Sequence, residues 1–202
     1  KAIVVGGHSE YWTIQMRQRI EGAVAAGKHL IAFGGNTAYA ITNVNGREIS
    51  GRKPYREVNQ PESLLLGSQY FALGIKKDLI SNNVWPFATL GQDAVIKGLY
   101  GYEADTAMGT IGPGVQVVAR AAISPTEKGF VAMSTYYNAP SGASVMNMGT
   151  NAWVCAMKNR CPWGHTFDAV AQKQITQVTV EVLKAVKTSK WPVAQIDFPS
   201  RP

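Results

Sequence analysis

Charge is scarce in this sequence. Of its 202 residues only 16% are Asp, Glu, Lys or Arg, against ~25% in ordinary globular chains. Apolar residues reach 46%, so the chain has enough of them for a core, and disorder, a coiled coil and a basic disordered tail are excluded. Long hydrophobic runs are missing too. No stretch approaches the ~18 apolar residues of a membrane-spanning helix. The 20 glycines show no three-residue period, which excludes collagen. Cysteine is almost absent: Cys155 and Cys161 stand alone, without the second pair a zinc site needs. No Gly-x-Gly-x-x-Gly or phosphate-loop motif supports nucleotide binding.

The net charge is +7, but the cations do not form a nucleic-acid footprint. Arg47, Arg52, Lys53 and Arg56 make one loose group, and Lys184, Lys187 and Lys190 another. They read as a solvated basic surface, and no nucleic-acid partner is expected. The chain opens on Lys1 rather than Met and runs at once into an apolar strand. The expectation is a processed product or an excised domain, with no signal peptide in view.

The two cysteines leave two readings open. On one continuous helix their side chains would lie ~240° apart and could not bond. Pro162 allows a turn before it, and a small disulfide loop is then feasible. Such a bond would imply an oxidising compartment and tilts the expectation toward an exported protein. Two buried free thiols are the other reading.

What is present is a βαβ grammar. Ala2-Ile3-Val4-Val5 followed by Gly6-Gly7 reads as a buried parallel strand. Thr13 can cap a helix whose stripe is Met16, Ile20, Ala23 and Val24, ended by Gly27. His29–Phe33 reads as a second buried strand ending in Gly34-Gly35, with Asn36 or Thr37 capping a further short helix. Residues 44–114 break periodicity repeatedly and read as an irregular insertion, with short strands near Tyr70–Leu73 and Val95–Leu99. Val115–Ala122, Gly129–Ser134 and Ala143–Asn147 read as strands, the first two joined by a turn at Ser124–Glu127. Gly149–Met157 and Asp168–Lys187 read as helices. The latter carries Ala171, Ile175, Val178, Val182 and Val186 on one stripe, with a strand at 178–182 as the competing reading. The organisation expected is one α/β domain over residues 1–190 and an extended tail over 191–202.

Open parallel sheets bind ligands beyond the carboxyl ends of their strands. Two such ends carry His8-Ser9-Glu10-Tyr11-Trp12 and Gly34-Gly35-Asn36-Thr37-Ala38-Tyr39. A third polar cluster is Tyr100-Gly101-Tyr102-Glu103-Ala104-Asp105. These three are the candidate walls of one pocket. A cysteine-dependent amidotransferase is disfavoured, because the first elbow offers His8 and Ser9 but no cysteine, and Ser9 lacks a Gly-x-Ser-x-Gly setting.

Four motifs occur in order: Gly6-Gly7-His8-Ser9-Glu10-Tyr11-Trp12, then Gly34-Gly35-Asn36, then Tyr100-Gly101-Tyr102-Glu103-Ala104-Asp105, then Asn147-Met148-Gly149-Thr150-Asn151-Ala152-Trp153-Val154-Cys155-Ala156. Together they resemble the C-terminal domain of the N,N-dimethylformamidase large subunit and the broader family named after it. The resemblance runs from about Ile3 to Lys187. It implies a class I glutamine amidotransferase-like fold, that is, a flavodoxin-like three-layer sandwich with a mostly parallel sheet. It also implies a mononuclear non-haem iron site built by Tyr11, Tyr39 and Glu103. Gly101 stands two residues before the glutamate, where the resemblance implies a histidine, and Ala40 stands where an aromatic residue often follows the second tyrosine. Phenolate and carboxylate are hard donors suited to ferric iron. The expected activity is hydrolysis of a C–N bond in a small amide by metal-activated water. His8, Glu10, Asn36 and Asp105 are the candidate catalytic residues, with Asn36 as an oxyanion donor. The competing expectation is a non-catalytic domain on the same scaffold, a structural or ligand-binding module of a larger exported protein or assembly. A flavodoxin-like sheet needs about five parallel strands, so the remaining strands are expected from residues before Lys1 or from another chain.

Overall fold

The computed structural model describes residues 1–45, 48–107, 114–121 and 131–195. Arg47 of the basic group, the expected turn Ser124–Glu127, the strand ends at Ala122 and Gly129–Phe130 and the tail beyond Gln195 lie outside them. The chain runs β1 (Ala2–Gly6), β2 (Tyr11–Trp12), α1 (Ile14–Ala25), β3 (His29–Phe33), β4 (Ala40–Asn45), β5 (Glu48–Pro54), α2 (Ser63–Leu66), β6 (Gln69–Ser81), β7 (Val95–Thr106), β8 (Gln116–Ala121), β9 (Met133–Asn138), β10 (Ser144–Asn147), α3 (Ala152–Met157) and α4 (Ala169–Thr188).

The expected fold class is overturned. The main sheet has seven strands in the order β1-β3-β10-β9-β8-β6-β7. Only β1–β3 and β3–β10 pair in parallel; every other pairing in it is antiparallel. This is a mixed, strand-rich sheet, not the mostly parallel sheet of a flavodoxin-like sandwich. The reason lies in residues 69–81 and 95–106. They were expected in an irregular insertion, yet they are the two longest strands and form one edge of the sheet. Register shifts between Tyr70 and Ala72, Leu73 and Ile75, and Lys77 and Leu79 break their alternation, and bulges of this kind erase the period-2 signal. A second sheet orders β2-β4-β5, with β2 and β4 parallel and β4–β5 an antiparallel pair.

Local chemistry sets the elements that were expected. Thr13 caps α1, accepting from the Met16 amide at 3.1 Å, and Gly27 at φ +81 follows its end. The buried stripe of α1 differs from the expected one: Arg17 and Val24 are buried while Met16 is exposed. Asp168 caps α4. Ala171, Ile175, Val178 and Val182 face the core, which settles residues 178–182 as helix. Each fully buried Ile or Val there is worth about 1.5–3 kcal/mol. After Asn36 and Thr37 no short helix forms; Asn36 and Ala38 turn at φ +53 and +56 instead.

Alternate residues of β3 serve two cores, as period 2 requires. Leu30 and Ala32 pack with Trp12, Val24, Tyr55, Leu65 and Leu66 on the α1 face. Ile31 and Phe33 pack with Trp153, Phe87, Ile175 and Val182 on the α3–α4 face. Trp153 is fully buried and its indole N–H donates to Thr179 Oγ1 at 3.0 Å. The described part of the tail, residues 191–195, has neither helix nor strand and packs on the domain. Trp191 stacks on His29 with ring centres 4.4 Å apart, and the Pro192 carbonyl accepts from the Tyr136 hydroxyl at 2.6 Å.

Cys155 and Cys161 are bonded to each other. The helix stops at Met157, and Asn159 at φ +50 turns the chain back, bringing the two Cα atoms to 4.8 Å. Among the described residues no helix is long and apolar enough to cross a membrane.

Candidate functional site

The parallel strands β1, β3 and β10 end side by side, and the site lies at those ends. The turns after β1 and β3 are in backbone contact: a Cβ on Gly34 would sit 2.1 Å from the Gly7 carbonyl oxygen. The Ala38 amide donates to the Ser9 carbonyl at 2.9 Å and the Ala40 amide to the Glu10 carbonyl at 3.0 Å. These bonds lock residues 8–10 against residues 36–40. The loop after β10 is tied to β7 in the same way. The Asp105 amide donates to the Gly149 carbonyl at 2.9 Å, and the Asn151 amide to the Glu103 carbonyl at 3.2 Å. Gly149 turns there at φ +65, where a Cβ would lie 2.4 Å from the Met133 carbonyl oxygen.

Three of the sequence-derived residues meet on this floor. His8, Glu10 and Glu103 each place a ligand-type atom within 4.8 Å of the others'. His8 Nε2 is 3.4 Å from Glu10 Oε2 and 3.2 Å from Glu103 Oε2. Both carboxylates are buried, while the His8 side chain is 47% exposed and so has an exit to solvent. Glu103 is held from two sides. Asn36 Nδ2 donates to its Oε1 at 3.0 Å, and Asn151 Nδ2 donates to its Oε2. Asn151 is fixed in turn by the Gly35 amide, which donates to its Oδ1 at 3.0 Å.

Asp105 is the deepest member. It accepts from the Asn36 amide at 2.7 Å and from Asn147 Nδ2 at 2.8 Å. Burial pushes its carboxyl up to about 7 against the pull of those bonds. Asn36 is placed differently from its expected role as an oxyanion donor. Its Nδ2 is committed to Glu103, and its buried Oδ1, an acceptor, has no hydrogen-bond partner among the described residues.

The tyrosines form the wall. The Tyr11 ring is 41% exposed. Desolvation raises its hydroxyl, and the charge and hydrogen bonding of Glu10 raise it further. Tyr39 packs edge-on against Tyr70 with ring centres 5.4 Å apart. Arg52 lies across the wall, its Cζ 5.8 Å from the Tyr11 ring centre and 5.9 Å from that of Tyr39. Its Nη2 is 2.6 Å from Glu10 Oε1.

Sequence reasoning missed four of these participants. Arg52 lay inside the basic group read as solvated surface. Tyr70 lay in a strand whose alternation is broken, yet it pairs across from Asp105, and burial followed by the Glu103 charge raises its hydroxyl. Asn147 and Asn151 lay inside a quoted motif without an assigned role; their amides hold the two buried carboxylates. At Gly101 the space a side chain would take is filled from elsewhere. A Cβ there would lie 3.1 Å from His165 Nδ1, and His165 stacks on Phe167 at 4.7 Å.

A family model described as N,N-dimethylformamidase beta subunit-like, C-terminal, matches residues 1–53 and 40–164. No curated protein matches the chain.

Proposed function

Because this chain belongs to the N,N-dimethylformamidase beta subunit-like C-terminal family, we propose that it is a metal-dependent hydrolase of the C–N bond in a small amide. The observation that carries this reading is the meeting of His8, Glu10 and Glu103 within 4.8 Å, beside the phenols of Tyr11 and Tyr39. The donors fit a hard cation such as ferric iron: carboxylate and phenol oxygens are its preferred partners. The orphaned Asn36 Oδ1 next to them is a further acceptor awaiting a cation or an N–H. Tyr11, Tyr39 and Glu103 would hold the ion. When bound, it supplies Lewis acidity toward a carbonyl and acidifies water.

The chain's own residues supply the rest. Asn36 and Asn151 hold the Glu103 carboxylate in one orientation, so no reorganisation is needed there during reaction. His8 stands between two carboxylates and reaches solvent, which suits it to carry a proton in and out. Arg52 holds Glu10 in place through Nη2, 2.6 Å from Oε1. Asn36 Oδ1 suits an N–H of the substrate or of the departing amine. The Cys155–Cys161 bond supports placing the protein in an oxidising compartment.

One observation favours a second reading, a ligand-binding module without catalysis. Position 101 offers no side chain to the site, and the neighbouring space is packed with His165. A single experiment separates the two. Iron content is measured on protein purified without chelator, with a visible spectrum. Near-stoichiometric iron with a tyrosinate charge-transfer band, lost in Tyr11→Phe and Glu103→Gln, and amine release from a panel of small amides support the hydrolase. No iron, and none taken up on reconstitution, overturns it.

A further inference from the structure

The floor of the site is acidic and its rim is basic. Two guanidinium groups flank the Tyr39 ring, Arg52 at 5.9 Å and Arg56 at 5.2 Å from its centre. Arg56 is largely committed within the protein, with three of its five N–H donors engaged. Its Nη2 donates at 2.7 Å both to Glu62 Oε1 and to the Tyr70 carbonyl, and its Nε donates to Glu62 Oε2 at 3.3 Å. Arg52 is not. A guanidinium carries five N–H donors, and Arg52 uses Nη2 alone, toward Glu10 Oε1. Its side chain is 60% exposed, and among the described residues its other donors have no partner.

Position makes those donors useful. Arg52 lies over the rings of both Tyr11 and Tyr39, which places the guanidinium at the rim of the tyrosine wall. Through Glu10 it is one side chain away from His8 Nε2, which is 3.4 Å from the other oxygen of the same carboxylate. A group held by Arg52 therefore sits beside the floor, within reach of a second group on the same small molecule. The charges point the same way. Arg56 is matched by Glu62 and Arg52 by Glu10, which leaves Glu103 facing His8. A trivalent cation on the floor would be offset by Glu103 and the Tyr11 and Tyr39 phenolates, so Arg52 would remain a cation with free donors. A neutral amide offers that fork a single uncharged carbonyl oxygen. A carboxylate offers the planar, two-oxygen partner that arginine binds best.

We propose that Arg52 is the docking group for a carboxylate, so that the site takes small amides bearing an acid group, of the N-acyl amino acid type, in preference to neutral amides. This rests on the amide-hydrolase reading for its chemistry, but its test does not require turnover. The probes are N-acetylglycine and its uncharged counterpart N-acetylglycinamide. Each is titrated calorimetrically into the whole protein, as purified and after iron reconstitution. The acid is expected to bind at least about tenfold more tightly, as one charge-assisted contact requires. That preference is expected to vanish in Arg52→Gln and to survive in part in Arg52→Lys, which keeps the charge and loses the fork. The lysine variant keeps the test readable where the glutamine variant fails to fold. Equal binding of the two probes, no binding of either, or a preference that persists in Arg52→Gln overturns the proposal. Iron content measured on the same samples separates the two readings. A preference without iron removes the metal-hydrolase reading and leaves the docking role; iron without a preference does the reverse.

Discussion

Gly34 and Gly7 touch backbone to backbone: a Cβ on Gly34 would lie 2.1 Å from the Gly7 carbonyl oxygen. Neither neighbour yields easily, because Gly7 follows directly on the edge strand β1 and Gly34 directly on β3 beside it. The contact fixes how His8 and Glu10 stand relative to Asn36. Gly34→Ala is therefore expected to cost about 3 kcal/mol, the upper end for overpacking, and to separate His8 from Glu103. Gly22, on the exposed face of α1, has nothing within 4 Å of its Cβ position. Gly22→Ala is expected to stabilise by roughly 0.5–1 kcal/mol. Urea denaturation of the two variants checks both signs; a neutral Gly34→Ala would show that the two turns are free to part.

β1, α1 and β3 were readable because their signals are local, while β2, β4 and β5 of the second sheet were not. Thr13 and Gly27 bound α1, and the apolar runs of β1 and β3 end in glycine pairs. Sheet order was not readable. Nothing near Ser144–Asn147 says that β10 lies beside β3, or that the strands beyond it reverse direction. Of β6 and β7 only the first few residues, near Tyr70–Leu73 and Val95–Leu99, were legible as strand; their full length was hidden by bulges, with Gly74, Gly98 and Tyr102 at positive φ where alternation fails. At the site, His8, Glu10, Asn36, Glu103 and Asp105 stood out because each follows a glycine turn or sits in a dense polar motif. Arg52 did not, because β5 is exposed along most of its length and its basic residues look alike until one of them is seen to reach Glu10.

Asp105 gives the fold a pH dependence of known sign. Burial raises its carboxyl from 3.8 to about 7, so the folded state holds the proton more tightly than the unfolded chain. Its favourable contribution is then complete below the unfolded value and is lost as pH rises through the folded one. Measured on chelator-treated protein, this group makes stability fall between about pH 4 and 7. Asp105→Asn is expected to flatten that fall, although its amide would face the Asn147 amide, donor to donor. A carboxyl carbon titration by NMR should place the midpoint near 7. A midpoint near 4, or an unchanged stability profile in Asp105→Asn, would mean that the bonds from Asn36 and Asn147 outweigh burial.

The disulfide closes a short loop at the end of α3, so its effect is modest and predictable. For a loop of this size the lost chain entropy of the unfolded state is worth about 2 kcal/mol. In a chain of this length that corresponds to roughly 4–8 °C in Tm. The Cys155→Ser/Cys161→Ser double variant is expected to melt lower by that amount. The segment directly after the loop carries Trp163, whose ring stacks on Tyr102 at 4.6 Å, and His165, which packs beside Gly101. Reduction should therefore change Trp fluorescence before global unfolding. If fluorescence and far-UV signal move together, the loop is not an independent unit.

Arg17 explains why the expected stripe of α1 fails at its first residue. It is 1% exposed and stands where the pattern wanted an apolar neighbour. Its Nε donates to Glu21 Oε1 at 2.7 Å, its Nη1 to the Gln60 carbonyl and its Nη2 to the Pro61 carbonyl at 3.0 Å. Its Cζ lies 4.5 Å from the Tyr55 ring centre, and the Tyr55 hydroxyl donates to the Thr13 carbonyl at 2.9 Å. One guanidinium thus joins the start of α1 to the segment leading into α2. Arg17→Met conserves the stem and removes the head, leaving two carbonyls without a donor. At about 1–3 kcal/mol for each orphaned group, a loss of roughly 2–4 kcal/mol is expected. Arg17→Lys keeps the charge but cannot serve both carbonyls and Glu21 together, so an intermediate loss is expected. Because the guanidinium itself is buried, neither loss should shrink much in high salt, unlike that of an exposed pair such as Lys184–Glu181. Denaturation at low and high ionic strength reads this directly. A loss that shrinks with salt would show that Arg17 acts through its charge on Glu21, and not as a clamp on the Gln60–Pro61 backbone.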